Sequence, residues 1–151
     1  MDALLKKLIY KGEENVFLYQ VPEQLIGLKQ AFKSVTEDLV DQEHVTFALS
    51  FVYKPSELES LIPELTKKAE GDAALWFCYP KKSSKRFKCE IDRDHGWDAL
   101  GAAGYEPVRM IALDEDFSAL RFRKVENIKK ITRNAEMALT EEAKKRTTKG
   151  R

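Results

Sequence analysis

Two runs constrain this chain more than any other feature: HVTFALSFVY at 44–53 and AALWFCY at 73–79. Neither alternates apolar with polar residues. Each is β-branched, aromatic or aliphatic at nearly every position, a composition that suits a strand covered on both faces. Between them Leu58, Leu61, Ile62 and Leu65 recur at helical spacing after Pro55-Ser56-Glu57. Ser56, with Glu59 three residues on, reads as an N-cap and capping box. Strand, helix, strand is the unit of a parallel sheet with a right-handed crossover.

The flanks extend the pattern. Asp2 to Ile9 reads as a helix, Val16 to Tyr19 as the first strand, and Pro22 opens a helical pattern carrying Leu25, Ile26, Leu28 and Phe32. Ile91 to Ala103 is a predicted helix closed by Gly104. Pro107 to Leu113 and Ser118 to Lys124 are strands joined by Asp114-Glu115-Asp116, close enough for a hairpin. The expected fold is α/β: a three-layer α/β/α sandwich with a mostly parallel five-stranded sheet. Its strands are expected in the order 2-1-3-4-5, with an antiparallel edge strand from the C-terminal hairpin. Residues 1–124 form the α/β domain in this reading. Residues 125–151 form a basic helical extension, amphipathic from Val125 to Leu139 and frayed beyond Thr140.

Charge adds a second division. The formal net charge of +1 conceals a body of net −6 up to Leu120 and a segment of net +7 from Arg121 onward. Basic tails contact phosphate backbones, so weak nucleic-acid binding through the tail is one expectation. No aromatic residue follows Phe122 to stack on bases, and a solvated cation-rich helix is the plainer reading. Cys78 and Cys89 are too few for a disulfide scaffold and lack a histidine at metal-ligand spacing. No metal and no cofactor is expected. No apolar stretch approaches the ~18 residues of a membrane span, and the first residues form no signal peptide. The expected location is the cytoplasm, away from membranes.

The segment Ala74-Leu75-Trp76-Phe77-Cys78-Tyr79-Pro80-Lys81-Lys82-Ser83-Ser84 resembles a small bacterial domain family of unknown function, with a Trp-containing strand before a Pro-Lys-Lys and serine loop. Phe51 to Leu61 and the late Asp114-Glu115-Asp116-Phe117-Ser118-Ala119-Leu120 match it too, with Phe117 where members carry Trp. The resemblance covers Leu4 to Arg123 and implies one α/β domain without naming an activity. Val45 to Pro80 also resembles the second half of a Rossmann-like methyltransferase. The decisive loop is missing, because Gln20-Val21-Pro22-Glu23-Gln24 replaces a glycine-rich turn. A standard dinucleotide or S-adenosylmethionine site is therefore not expected.

Ligands of open α/β sheets bind beyond the carboxyl ends of the strands. The richest rim segment is Lys81, Lys82, Ser83, Ser84 and Lys85, an anion cradle in which no glycine lets the backbone wrap a phosphate. Lys54, Asp114 and Ser118 complete the candidate rim. A solvated, charged loop is the competing reading. Asp92-Arg93-Asp94-His95 has the composition of an acid–base pair, although aspartates in the first turn of a helix are expected from capping alone. Asp114, Glu115 and Asp116 lack the spacing of a calcium loop and read as a polar turn. No catalytic residue is assigned. The expectation is a non-enzymatic protein that binds an anionic small molecule or a protein partner at this rim. The alternative is a Rossmann-like transferase, degenerate and methyltransferase-like, with its cofactor loop remodelled.

Overall fold

The two apolar runs form the centre of the sheet. The structure, a computed structural model, describes residues 2–14, 16–32, 35–92 and 95–128. β1 (Val16–Tyr19) and β2 (Val35–Thr36) precede the central pair, β3 (Val45–Phe51) and β4 (Ala69–Pro80). β3 and β4 run parallel, with Phe47 opposite Ala74 and Phe51 opposite Cys78. Alternate side chains leave the sheet on opposite faces. Phe47, Leu49, Trp76 and Cys78 meet α1 (Asp2–Lys7) and α2 (Leu28–Ala31); Ala48, Leu75 and Phe77 meet α3 (Pro55–Lys68) and α4 (Asp98–Ala102). The three layers follow directly from that division.

β5 (Tyr105–Ala112) and β6 (Phe117–Lys124) form the expected hairpin. The full order is β2-β1-β3-β4-β6-β5, six strands and not five. The expected order, which does not count Val35–Thr36, placed Val16–Tyr19 between the two apolar runs; instead the runs pair directly as β3 and β4, and the short β1 lies outside β3. The reversed strand, β6, lies one place inside the edge, between β4 and β5. Burial explains the placement. Phe117 to Leu120 and Phe122 are buried and require partners on both sides, whereas Arg109 and Met110 of β5 are exposed. Pro107 also lacks a ladder donor, which suits an edge.

Three helices differ from expectation. The pattern opened by Pro22 divides into a 3-10 turn at Glu23–Leu25 and the four residues of α2, with Gly27 between them. Gly27 itself keeps helical angles (φ −60°, ψ −19°), and the chain leaves the helix at Phe32, where ψ is 152°. Past the end of that pattern, Val35–Thr36 pair with β1 as β2, the sixth strand. α3 begins at Pro55, and Lys54, not Ser56, holds the N-cap position. Glu57 closes that end: its Oε1 accepts from the Tyr53 and Lys54 amides at 2.8 and 3.0 Å. The predicted helix over 91–103 shortens to α4, so Asp92 and His95 lie in a loop ahead of it.

Beyond β6 the chain makes a 3-10 turn at Val125–Asn127, with Val125 and Ile128 buried. The rest of the expected C-terminal helix and the basic tail fall outside the described residues. Among the described residues no helix is long and apolar enough to cross a membrane, and no three His, Cys, Asp or Glu side chains gather as a metal site.

Candidate functional site at the carboxyl rim

β1 leads into α2 on one face, and its neighbour β3 leads into α3 on the other. Adjacent strands that part in this way open a crevice at their carboxyl ends, the usual ligand position in such sheets. Here a side chain bridges it. Gln20, the residue after β1, donates through Nε2 to the Phe51 carbonyl at the end of β3 (3.1 Å) and to Glu57 Oε2 (2.5 Å). Its φ of +53° preserves a left-handed turn, a conformation in which glycine is normally favoured.

The lysine-rich loop docks on the β5–β6 turn instead of standing free. The Lys81 amide donates to the Asp116 carbonyl, and Lys81 Nζ to the Asp114 carbonyl, both at 2.7 Å. Asp116, 5% exposed, accepts from Ser84 Oγ at 2.8 Å and Gln24 Nε2 at 3.2 Å, with Arg86 at 3.7 Å. Ser84 Oγ also accepts from the Phe87 amide, and Gln24 reaches Asp114 Oδ2 at 2.6 Å. The Ser84 hydroxyl, with smaller help from Gln24 and the Arg86 and Lys81 cations, holds the Asp116 carboxyl below its ordinary value, while burial works the other way. The unfolded chain then takes up this proton first as pH falls. The contribution of Asp116 to stability is therefore complete above an unfolded value of about 3.9 and disappears as pH drops through the lower folded value. The unfolding midpoint of Asp116→Asn is expected to fall less between pH 5 and 2 than that of the wild type. Equal acid sensitivity would remove Asp116 from this role.

Two adjoining clefts open on either side of Lys81 and Lys82, and both also touch Asp92. The first, about 270 Å³, adds Tyr79, His95, Met110 and Ser118; the second, about 430 Å³, adds Ser84, Phe87 and Cys89 among others. Asp92 organises the shared wall. Its Oδ2 lies 3.2 Å from Lys82 Nζ and its Oδ1 2.9 Å from His95 Nδ1. Burial pushes the Cys78 thiol well up, and raises Cys89 as the largest of its influences, so neither resembles an activated thiolate.

Of the candidate residues, Lys81, Lys82 and Ser118 line the first cleft, and Ser84 lines the second with both lysines. Ser83 and Lys85 are exposed outside both clefts, Lys54 caps α3, and Asp114 binds the loop and the turn amides. Gln20, on the rim by sequence position, and Gln24 and Glu57, outside the sequence-based rim, also carry polar bonds there. Their only signal was position, since Gln20 and Gln24 occupy the segment where a glycine-rich loop would stand.

No family model matches the chain, and no curated protein matches it in sequence. Solved structures do resemble it. One is a SAM dependent methyltransferase from Aquifex aeolicus, at 15% identity and a TM-score of 0.53, covering 82% of this chain and 89% of that one. The N-methyltransferase NodS from Bradyrhizobium japonicum aligns at 14% identity and a TM-score of 0.51 over 82% and 93%. The pyocyanin biosynthetic protein PhzM aligns at 11% identity and 0.55; the match spans 81% of this chain but 53% of PhzM. At these identities the likeness concerns the fold. The chain has the Rossmann-like α/β fold of the methyltransferases, with its reversed strand next to the edge.

Proposed function

We propose that the chain is a degenerate Rossmann-like transferase: a protein of the methyltransferase fold whose small-molecule ligand is an anion of the phosphate or carboxylate class. That ligand sits in the cleft under Lys81, Lys82 and His95, not in the crevice between β1 and β3. The observation that carries the reading is the Gln20 bridge. It occupies the position a cofactor would need, while cations and hydroxyls converge on an open cleft farther along the same rim. The methyltransferase fold favours this over the plain non-enzymatic binding protein expected from the sequence, and over docking of a protein partner.

Ligand-induced stabilisation tests it. Inorganic pyrophosphate at a hundredfold excess over Kd stabilises by about 2.7 kcal/mol, some 5–10 °C for a domain of this size. The wild type is expected to show such a shift and Lys82→Ala to lose most of it. Lys82 is largely exposed, so its removal spares the fold. S-adenosylhomocysteine is expected to produce no shift. Stabilisation by S-adenosylhomocysteine, or no response to pyrophosphate, overturns the displaced site.

A further inference from the structure

We propose that Asp92 and His95 form a proton-accepting dyad facing the ligand of this cleft, with His95 Nε2 as the base. The inference rests on the reading above and assigns the cleft a chemical role. Two exposed side chains three residues apart often meet without consequence, but this pair is built into its loop. The Asp92 amide donates to the His95 carbonyl at 3.2 Å, and Trp97, 2% exposed, donates from Nε1 to the Asp92 carbonyl at 2.8 Å. Gly96 turns the chain at φ +99°, with Ile91 so close that an added Cβ would stand 3.0 Å from its Cγ1. The indole, the backbone bond and the glycine turn hold the backbone from which the carboxylate and the imidazole extend.

The chemistry follows from the two nitrogens. The Asp92 carboxylate only accepts, so the neutral tautomer that fits this contact carries its proton on His95 Nδ1 and its lone pair on Nε2. Lys82 Nζ lies 3.2 Å from the other Asp92 oxygen. Around the cleft stand Lys81 and Lys82 from the loop, the Tyr79 hydroxyl from β4 and the Ser118 hydroxyl from β6, with uncharged Met110 from β5. A hydroxyl-bearing anion held by Lys82 gives its proton to Nε2. The O–H bond breaks with its electron pair left on oxygen, an N–H bond forms, and Asp92 balances the imidazolium.

Long-range nitrogen–proton NMR of the full chain, with inorganic phosphate as probe, decides the matter. The expected result is an Nδ1-protonated His95 in the free protein and a change to the Nε2-protonated form in Asp92→Asn. At constant pH, the His95 Nε2 resonance is expected to move towards its protonated position as phosphate is added, over the same concentrations that raise the unfolding temperature. A surface ion pair without a role would leave Nε2 unmoved by phosphate. If phosphate stabilises the protein through Lys82 while Nε2 does not respond, the dyad is wrong and the anion site stands. If phosphate neither stabilises nor shifts any cleft resonance, the site itself is wrong.

Discussion

Trp76→Ala is expected to cost about 3–5 kcal/mol and to lower the unfolding midpoint by roughly 10 °C for a domain of this length. Trp76 is fully buried in β4, the strand on which both helical layers depend. Its ring fills the thinner of those layers, where cover comes from six residues of α1 and four of α2. Its Nε1 donates to the Leu8 carbonyl at 3.1 Å, the bond that fastens the end of the N-terminal helix to the sheet. Alanine removes the ring, opens a cavity against Leu8 and Phe47, and deprives the Leu8 carbonyl of its donor. Trp76→Phe retains most of the packing and loses the bond, so roughly 1–2 kcal/mol is the expected cost. Thermal and urea unfolding of the two variants separate the contributions. Hydrogen exchange across α1 should accelerate in Trp76→Ala before global unfolding. If that variant melts within about 2 °C of the wild type, Trp76 does not anchor the layer.

The same residue shows what was legible in the sequence. Trp76 sits in a run with no polar face, and such a run fits only a strand between two layers; the three-layer sandwich follows from it and from HVTFALSFVY. Strand order is a different kind of information. Local pattern places a hairpin at 105–124 but does not say which of its strands meets β4. The answer lay in burial: β6 is buried through Phe117–Leu120, while β5 carries Pro107 and exposed Arg109. The helices at 22–32 and 91–103 failed because apolar spacing alone does not register glycine. Gly27, a weak helix former, stands between the two short pieces of the first, and Gly96, at φ +99°, lies outside helical geometry just ahead of α4.

The site was legible only as a region. A loop of five cations at the end of an apolar strand points to the rim, and the clefts do lie there. Which residues face a ligand depends on pairings across 31 to 92 positions of sequence, such as Gln20 with Phe51 and Gln24 with Asp116. No local spacing encodes these. Lys81 illustrates the consequence: its charge suggested a ligand, yet its ammonium is held by the Asp114 carbonyl, leaving Lys82 as the cation whose removal tests binding without loosening the loop.

Gly96→Ala carries the second large effect, because it joins stability to the cleft. Alanine at φ +99° is strained, a cost of about 1–3 kcal/mol, and its Cβ meets Ile91, which is 2% exposed and packed beneath the loop. The backbone must turn away or Ile91 must shift, and either movement separates Asp92 from His95. The expected outcome is a midpoint lowered by roughly 5 °C and a phosphate-induced stabilisation reduced as far as in Lys82→Ala. Gly71→Ala provides the control. Gly71 also has a positive φ, +60°, but nothing lies within 4 Å of an added Cβ and the residue is remote from the rim. It should lose about 1 kcal/mol and keep its full response to phosphate. Equal responses to phosphate in the two glycine variants would mean that the Asp92–His95 loop does not shape the cleft.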